Sequence, residues 1–286
     1  MNLYGVLIVF LATILYVLRF SSIKSLENFS ITKPQINFIY RLFSLPILLL
    51  VLVVFKGANI ELKPQFWIYF LLALVVNLIY GLFQVHVFHK NKFSSVTTLE
   101  PLAIIFSALL GYFLLSEAFP KTFVVSLALI VLAFFILVLT EKDYKVSRKS
   151  LIMVVVYNIF NALIYYVNKR AINESDSFTF AFMVSLGLCV SNYILTFVYS
   201  RKALFVPPKG SLPLLLTTGL LTGIGFALVS YGYVLLPLSG VSAILALEPF
   251  VSLVVSKYKY KEESLLPKLF ASVIAFAGVL IMVLVK

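Results

Sequence analysis

The chain has 286 residues, of which 62% are hydrophobic and 12% are charged, whereas soluble domains carry about 25% charged residues. Its mean hydropathy is +1.07 and its formal net charge is +12. This composition excludes a soluble globular domain and indicates a protein that crosses the bilayer many times. The basic residues lie in short connectors between apolar runs, a pattern typical of membrane orientation, so we expect no nucleic-acid partner.

The beginning of the chain and its single cysteine exclude several other classes. Residues 3–20 follow no basic segment and precede no small-residue cleavage site, so we predict a retained span, with nothing ahead of the membrane region. Cys189 is alone, which precludes an internal disulfide, and its apolar surroundings favour a packing role. Because no His/Cys set has the spacing of metal ligands, we predict no metal site and no cofactor.

Ten apolar runs approach the ~20 residues that a helix needs to cross the hydrocarbon core. The predicted spans are 3–20, 35–55, 65–88, 94–116, 122–140, 150–168, 177–200, 212–235, 239–256 and 265–285. The connectors are too short to fold as separate domains, and an even number of spans places both termini on one side. The predicted fold class is therefore an all-α integral membrane protein with ten transmembrane helices.

An internal repeat divides these spans into two halves. Leu99-Glu100-Pro101 and Leu247-Glu248-Pro249 lie 148 residues apart. Other similar segments at nearly this offset are 12–17 with 161–167 and 127–139 with 272–285. Because each half holds five spans, the second half enters the membrane from the opposite face. We therefore predict two inverted five-helix repeats, 1–142 and 143–286, forming one membrane domain, which is the frame of alternating-access transporters.

Glu100 and Glu248 are the principal candidates for function. A charged carboxylate in an apolar span costs ~2.5–3.5 kcal/mol on insertion scales, so it usually faces an interior cavity. At a rise of 1.5 Å per residue each glutamate lies ~10 Å below the surface where its helix starts. With inverted halves, the two carboxylates are predicted to flank the midplane from opposite sides and to bind the substrate or carry the coupling proton.

The proline after each glutamate is predicted to kink its helix. It lacks an N–H donor and leaves a carbonyl available one turn back, that of Thr97 in the first half and Leu245 in the second. A purely structural alternative follows from this. Each carboxyl then hydrogen-bonds to backbone freed by its proline, or to a nearby hydroxyl such as Ser94 or Ser242.

Polar and aromatic side chains elsewhere in the apolar runs are further candidate substrate-binding or coupling residues. They are Arg41, Asn77, Tyr80, His86, Asn158, Asn161, Tyr165 and Tyr231. Arg41 is predicted to pair with a carboxylate or a substrate anion, or else to snorkel to the interface. His86 is a candidate proton relay. Asn158 and Asn161 share a helix face that binds a polar solute or joins helices by hydrogen bonds. Arg19, near the end of the first predicted span, is interpreted as an interface anchor.

Small residues recur at helical spacing in two of the later spans. Gly219 and Gly223 form a G-x-x-x-G pair, and Ala271, Ala275 and Gly278 form a similar surface on the last span. Such residues let helix backbones approach closely, so we predict tight helix packing at both places.

Four features of the sequence occur together: the recurring Leu-Glu-Pro motif, the ten spans, Arg41 in YRLFSLP, and a glutamate-containing turn after each motif, with Glu117 in SEAF and Glu262 or Glu263 in KEES. In this combination the chain resembles the EamA-type branch of the drug/metabolite transporter superfamily. The resemblance covers nearly the whole chain. It implies a secondary carrier of small metabolites, often an exporter, with its site between the halves. It also implies a location in the cell membrane with both termini in the cytoplasm.

The distribution of basic residues conflicts with that orientation. With cytoplasmic termini, the connectors assigned to the outside, including 141–149 and 257–261, hold more Lys and Arg than those assigned to the inside. The positive-inside rule alone therefore favours termini outside. We keep cytoplasmic termini as the expectation.

The predicted function is a secondary transporter that exports a small organic metabolite such as an amino acid, by alternating access between the repeats, with the proton as a candidate coupling ion. We predict no enzymatic activity and no catalytic residues, because the intramembrane acids lie in different halves and neither histidine has a spaced partner acid. The closest alternative is a flippase for lipids or lipid-linked groups, and a more distant one is a membrane-embedded transferase. The expected partners are a small-molecule substrate and the lipid bilayer, and the chain is expected to be a monomer or a homodimer.

Overall fold

The computed structural model describes residues 3–57, 60, 62–90, 93–98, 100, 102–115, 122–140, 148–200, 206–236, 238–262 and 265–284. In this part of the chain the secondary structure is helical, with no strand. The α-helices are α1 (Leu3–Ser25), α2 (Lys33–Lys56), α3 (Phe66–Lys90), α4 (Phe93–Thr98), α5 (Leu102–Leu115), α6 (Phe123–Thr140), α7 (Arg148–Asn173), α8 (Ser177–Ser200), α9 (Leu212–Leu235), α10 (Leu238–Leu245), α11 (Glu248–Lys259) and α12 (Leu265–Leu284). A 3₁₀ turn, Leu26–Asn28, follows α1.

Seven helical segments within the described ranges are long and apolar enough to cross a membrane. They are Leu3–Asn28, Lys33–Lys56, Phe66–Lys90, Ile152–Asn173, Ser177–Val198, Leu212–Leu235 and Gly240–Lys259. Shorter apolar helices are Leu102–Leu114, Val124–Ala133 and Leu265–Ile281. The protein is therefore an all-helical, multi-pass membrane protein, as its composition predicts. The full count of ten crossings stays a prediction.

Side-chain caps explain where two of the long helices begin. Thr32 precedes α2, and Gln35 Oε1 accepts the Thr32 backbone N–H at 2.9 Å in a capping box. Asp176 precedes α8, and its Oδ1 accepts the backbone N–H groups of Phe178 and Thr179, each at 3.0 Å. These carboxylate and amide oxygens satisfy donors that the first helical turn leaves unpaired.

The helices form two compact units, each built from both ends of the chain. Unit 1 comprises Met1–His89 and Val167–Leu236, and unit 2 comprises Lys90–Tyr166 and Pro237–Lys286. Unit 1 contains α1, α2, most of α3, the end of α7, α8 and α9. Unit 2 contains α4 to α6, most of α7, and α10 to α12. Each unit thus combines residues from both predicted repeats, whose boundary at residue 142 lies outside the described residues and stays a prediction.

Glycines bring α9 close to α2 in unit 1, where α9 also packs on α1 and α2 packs on α8. A Cβ atom on Gly219 would lie 2.9 Å from the Tyr40 carbonyl oxygen, and one on Gly223 would lie 3.1 Å from the Ser44 carbonyl oxygen. A Cβ at Gly219 would force the neighbouring backbone to move, and one at Gly223 would press tightly against it. The predicted packing role of this G-x-x-x-G pair is confirmed.

Replacing Gly219 by alanine is expected to lower the melting temperature in detergent. The new Cβ would lie 2.5 Å from Phe43 Cβ and 2.9 Å from the Tyr40 carbonyl oxygen, and overpacking of this kind costs about 1–3 kcal/mol. Gly81→Ala is the matched control, because its Cβ would meet Asn37 Nδ2 at 3.4 Å, an ordinary contact. Equal melting temperatures for the two variants would contradict the packing described here.

Among the described residues of unit 2, three pairs of helices pack most extensively on each other. α12 packs along α6, with Ala271 and Ala275 buried and with Gly278 so close that an added Cβ would lie 2.9 Å from the Ser126 carbonyl oxygen. The predicted small-residue surface of the last span is therefore a packing surface. The first short helix of each interrupted span packs on the second short helix of the other, because α4 contacts α11 and α5 contacts α10. This pairing shows that α4–α5 and α10–α11 run antiparallel to each other.

Candidate functional site

The predicted span 94–116 is divided into α4 and α5, with Glu100 in a turn between them, and the predicted span 239–256 is divided into α10 and α11 just before Glu248. We call these two interruptions the breaks. The Thr97 carbonyl, predicted to be left available, instead accepts the Glu100 N–H at 3.1 Å in a tight turn. At the second motif the interruption is a short turn at residues 246–247, where the Ala246 N–H still bonds to the Ser242 carbonyl at 3.0 Å, and Pro249 lies in the first turn of α11, where no N–H is needed. The Leu247 N–H bonds to the Ile244 carbonyl at 3.0 Å. The Leu245 carbonyl, four residues before Pro249, receives no helical hydrogen bond from that residue because proline has no N–H.

Glu100 lies at the first break and is 6% exposed. Its Oε1 accepts a hydrogen bond from the Tyr157 hydroxyl at 3.0 Å. Tyr157 is fully buried on α7 and was missed in the sequence. A signal for it exists, because Tyr157 lies four residues before Asn161 and eight before Tyr165, on the same helix face as these two predicted site residues.

Glu248 is the first residue of α11 and is 5% exposed. A carboxylate at this position is stabilised by the unpaired N–H groups and the dipole of the helix N-terminus. The alternative that its carboxyl bonds to Ser242 is wrong, because the buried Ser242 hydroxyl has no hydrogen-bond partner among the described residues. The side chain of Ser94, the other hydroxyl proposed, lies outside the described residues.

A hydroxyl contact joins the two broken helices directly. The Thr97 and Ser252 hydroxyls lie 2.5 Å apart, and the Ser252 hydroxyl donates to the Pro249 carbonyl at 2.8 Å. Thr97 precedes Glu100 by three residues, and Ser252 follows Glu248 by four, so the contact is about one turn from each glutamate. The structure thus connects the elements carrying both predicted carboxylates within unit 2.

The predicted amides of α7 also belong to unit 2. Asn158 is fully buried, its Nδ2 donates to the Val154 carbonyl at 2.9 Å, and its Oδ1 has no partner among the described residues. Asn161 is buried, whereas Tyr165 is half-buried. Asn158 is therefore held by its own helix, and it leaves one buried acceptor unused.

Arg19 is the centre of a polar group in unit 1. It is 6% exposed, so its interpretation as an interface anchor is wrong. Its Nη2 donates to Gln84 Oε1 at 2.8 Å and to the Tyr40 hydroxyl at 3.2 Å. Its guanidinium carbon lies 5.2 Å from the centroid of the Tyr40 ring, and that of Arg41 lies 5.5 Å from the same centroid. We call Arg19, Tyr40, Arg41 and Gln84 the arginine cluster.

Arg41 faces the interior of unit 1, where its Nη1 donates to the Ser185 hydroxyl of α8 at 3.3 Å. Its guanidinium carbon also lies 5.7 Å from the centroid of the Phe226 ring of α9. The predicted Tyr80 reaches the cluster as well, because its hydroxyl accepts from Gln84 Nε2 at 2.9 Å. Two of the predicted residues, Arg41 and Tyr80, are therefore brought together with Arg19.

The other predicted residues of unit 1 make contacts of their own. Asn77 Nδ2 donates to Asn168 Oδ1 at 3.2 Å and joins α3 to α7. His86 Nδ1 lies 2.8 Å from Lys33 Nζ, and because an ammonium is only a donor, this nitrogen accepts. The Tyr231 ring stacks on Phe178 with centroids 5.5 Å apart.

The buried amide of Asn37 lies on α2, one turn before Arg41. It is 2% exposed, and neither its nitrogen nor its oxygen has a hydrogen-bond partner among the described residues. Gly81 of α3 lies against it, since a Cβ there would be 3.4 Å from Asn37 Nδ2. Gly81 is three residues before Gln84, so the amide and the arginine cluster adjoin the same stretch of α3.

Of the glutamate-containing turns, only the second is described in part. Glu262 Oε1 accepts the backbone N–H of Phe93 at 3.0 Å, at the start of α4, and its Oε2 lies 3.2 Å from Lys268 Nζ. Glu117 and Glu263 lie outside the described residues. No group of three or more His, Cys, Asp or Glu able to hold a metal occurs in the described ranges.

The chain is similar to a known family and to solved structures. Residues 148–284 match the model of the EamA-like transporter family. A solved crystal structure of a protein superposes with a TM-score of 0.74 at 10% sequence identity, covering 99% of this chain and 98% of that chain. At this identity the likeness shows the fold alone. No curated protein matches the sequence.

Proposed function

Because the chain belongs to the EamA-like transporter family, within the drug/metabolite transporter superfamily, we propose that it is a secondary carrier that exports a small organic metabolite by alternating access. The family is one of membrane transporters of small solutes. The observation that carries the proposal is the antiparallel pair of broken helices in unit 2, each with a buried glutamate at its break. Discontinuous helices of this kind hold substrates and coupling ions in secondary transporters.

The proposed architecture is ten spans in two inverted repeats, 1–142 and 143–286. The cross-pairing of α4 with α11 and of α5 with α10 supports it, because two equivalent helices of opposite membrane orientation pack in this way. In this arrangement Glu100 and Glu248 are equivalent positions of the two repeats. We assign them to solute binding or proton coupling, with Tyr157 positioning the Glu100 carboxylate through its hydrogen bond.

Reconstitution into proteoliposomes tests the proposal. The purified chain is first screened by thermal shift against amino acids, amines, nucleosides and sugar phosphates, because binding to the native state raises apparent stability. Uptake of each radiolabelled hit is then measured with and without the unlabelled solute inside. Saturable uptake that is stimulated by internal solute is the expected result. Lack of stimulated exchange for every stabilising solute would overturn the carrier assignment.

A flippase for lipids or lipid-linked groups is the alternative on the same fold. The same proteoliposomes distinguish it when they contain a fluorescent phospholipid and dithionite is added outside. A flippase makes the inner-leaflet fluorophore accessible to the reductant, whereas a solute carrier leaves about half of the fluorescence protected, as protein-free vesicles do. Full quenching without solute exchange would favour the flippase.

The export direction requires a membrane orientation, and we propose the cell membrane with both termini cytoplasmic. Residues 141–149 then lie outside. In a Cys189→Ser background, Lys145→Cys is expected to react with an impermeant maleimide in intact cells. Reaction only after permeabilisation would reverse the orientation, in agreement with the basic-residue count of the connectors.

A further inference from the structure

We infer that the arginine cluster of unit 1 binds the anionic group of the transported solute, which makes the substrate class a small organic anion with a carboxylate or phosphate group. The inference rests on the proposed carrier function and specifies its substrate. It depends on three features of the cluster, which are its unbalanced charge, its unused donors and the unpaired amide beside it.

The first feature is charge. Arg19 and Arg41 lie on two apolar helices, each with its guanidinium carbon within 5.5 Å of the centroid of the Tyr40 ring, and arginine remains protonated in proteins. Neither arginine forms an ion pair within the described ranges, where the pairs found are Lys24–Glu27, Lys63–Glu174 and Lys268–Glu262. Two neighbouring cations in an apolar environment repel each other and are poorly solvated. An anion bound by the two arginines would offset both costs.

The second feature is the supply of donors. A guanidinium has five N–H donors, and Arg19 makes both of its hydrogen bonds through Nη2 while its buried Nε makes none. Arg41 is half-buried, so it is accessible, and it donates to Ser185 through Nη1. The neutral groups that hold the arginines fix their planes without neutralising them. Guanidinium forks of this kind match the oxygens of carboxylates and phosphates.

The third feature is the buried amide of Asn37. It lies four residues before Arg41 on the same face of α2, with both amide atoms unpaired among the described residues. An unpaired buried amide is costly. A solute held by Arg41 supplies acceptor oxygens for Asn37 Nδ2, and a hydroxyl or amino group on the same solute supplies a donor for Oδ1. The cluster therefore favours an oxyanion with a second polar group.

Binding in detergent provides the first test. The full-length chain is titrated by calorimetry with matched probes: lactate and lactamide, glutarate and glutaramide, and glycerol 3-phosphate and glycerol. We expect at least one anion to bind about tenfold or more tightly than its neutral counterpart, because charge-assisted bonds to the arginines are lost in the neutral probe. The carboxylate and phosphate pairs identify the oxyanion. If no anion binds more tightly than its neutral counterpart, the inference is overturned.

Charge-removing variants locate the binding. Arg41→Gln is expected to weaken anion binding about tenfold or more, and Asn37→Ala to weaken it less. The matched control is Arg170→Gln, which also removes an arginine beside a tyrosine ring of unit 1, that of Tyr69 at 5.9 Å, but outside the cluster. Unchanged anion affinity in Arg41→Gln, or an equal loss in Arg170→Gln, overturns the inference. Arg19→Gln is a further variant; the half-buried Arg41 carries the test if Arg19→Gln does not fold.

Exchange in proteoliposomes separates this inference from the proposed function. Anion binding that depends on Arg41 without any solute exchange supports the site and overturns the carrier. Exchange of neutral or cationic solutes that is unaffected by Arg41→Gln supports the carrier and overturns the site. Exchange of an anion that is lost in Arg41→Gln and retained in Arg170→Gln supports both.

Discussion

Replacing Lys268 by methionine is expected to lower the free energy of unfolding by about 3 kcal/mol, because removal of one partner leaves the other charge of a buried pair uncompensated. Lys268 is 0% exposed, and its Nζ lies 3.2 Å from Glu262 Oε2. Glu262 also binds the backbone N–H of Phe93. The pair therefore connects the start of α12 to the start of α4, and its loss is expected to loosen the first broken helix.

Lys63→Met is the matched control for this result. Lys63 also pairs with a glutamate, Glu174 at 3.6 Å, but its side chain is 67% exposed, and exposed pairs contribute about 0–1 kcal/mol. Chemical unfolding in detergent, followed by tyrosine and tryptophan fluorescence, measures both variants. Adding Glu262→Leu to Lys268→Met should recover part of the loss, since the orphaned charge is then removed. Equal stability of Lys268→Met and Lys63→Met would contradict the burial argument.

Replacing Glu100 or Glu248 by glutamine is expected to reduce uptake driven by a pH gradient about tenfold or more for at least one of the two positions. Glutamine keeps the size and the hydrogen-bonding capacity of the side chain, but it can neither carry the negative charge nor take up the proton. A carboxyl that only couples the proton leaves solute exchange intact when replaced. A carboxyl that binds solute loses exchange and driven uptake together. If both variants retain driven uptake, proton coupling through these residues is wrong.

Two controls assign the cause of any loss. Glu174→Gln removes a carboxylate at a helix end, outside both breaks, and is expected to retain full uptake. Tyr157→Phe removes the hydrogen bond to Glu100 but keeps the carboxylate, and such bonds within membranes contribute about 0.6–2 kcal/mol. Its effect on uptake should therefore be smaller than that of Glu100→Gln. A lowered melting temperature with full uptake in Glu100→Gln would identify the carboxyl as structural.

Helices delimited by abrupt changes of composition could be predicted from the sequence. The predicted 177–200 and 212–235 coincide with α8 and α9, because basic or proline-containing connectors bound long apolar runs there. The predicted 3–20 stops short of α1, which continues to Ser25. The apolar run stops before Ser21, but the helix continues because the Ser22 and Ser25 hydroxyls donate to backbone carbonyls four residues back and so are hydrogen-bonded within the helix.

The predicted span ends five residues too early, and this explains why Arg19 is wrongly interpreted as an interface anchor. With a helix end at residue 20, an arginine at 19 lies at the interface; with a helix to Ser25, it lies more than a turn inside. The glutamates could be located because a charge in an apolar run is conspicuous by itself. Tyr157 is harder to locate, since a tyrosine is ordinary in a chain with 16 of them. Its spacing from Asn161 and Tyr165 places it on their helix face, but its contact with Glu100 is visible only in the structure.

The contact between the Thr97 and Ser252 hydroxyls has a thermodynamic consequence for the two breaks. If a proton or solute at Glu100 shifts the position of α4, the contact transmits that shift to α11, and the affinity at Glu248 changes by some factor. Linkage requires the same factor in reverse, so occupancy at Glu248 alters the affinity at Glu100 equally. The two carboxylates are then coupled sites, and neither controls the other in one direction only. The affinity measured at one carboxylate then depends on whether the other is occupied.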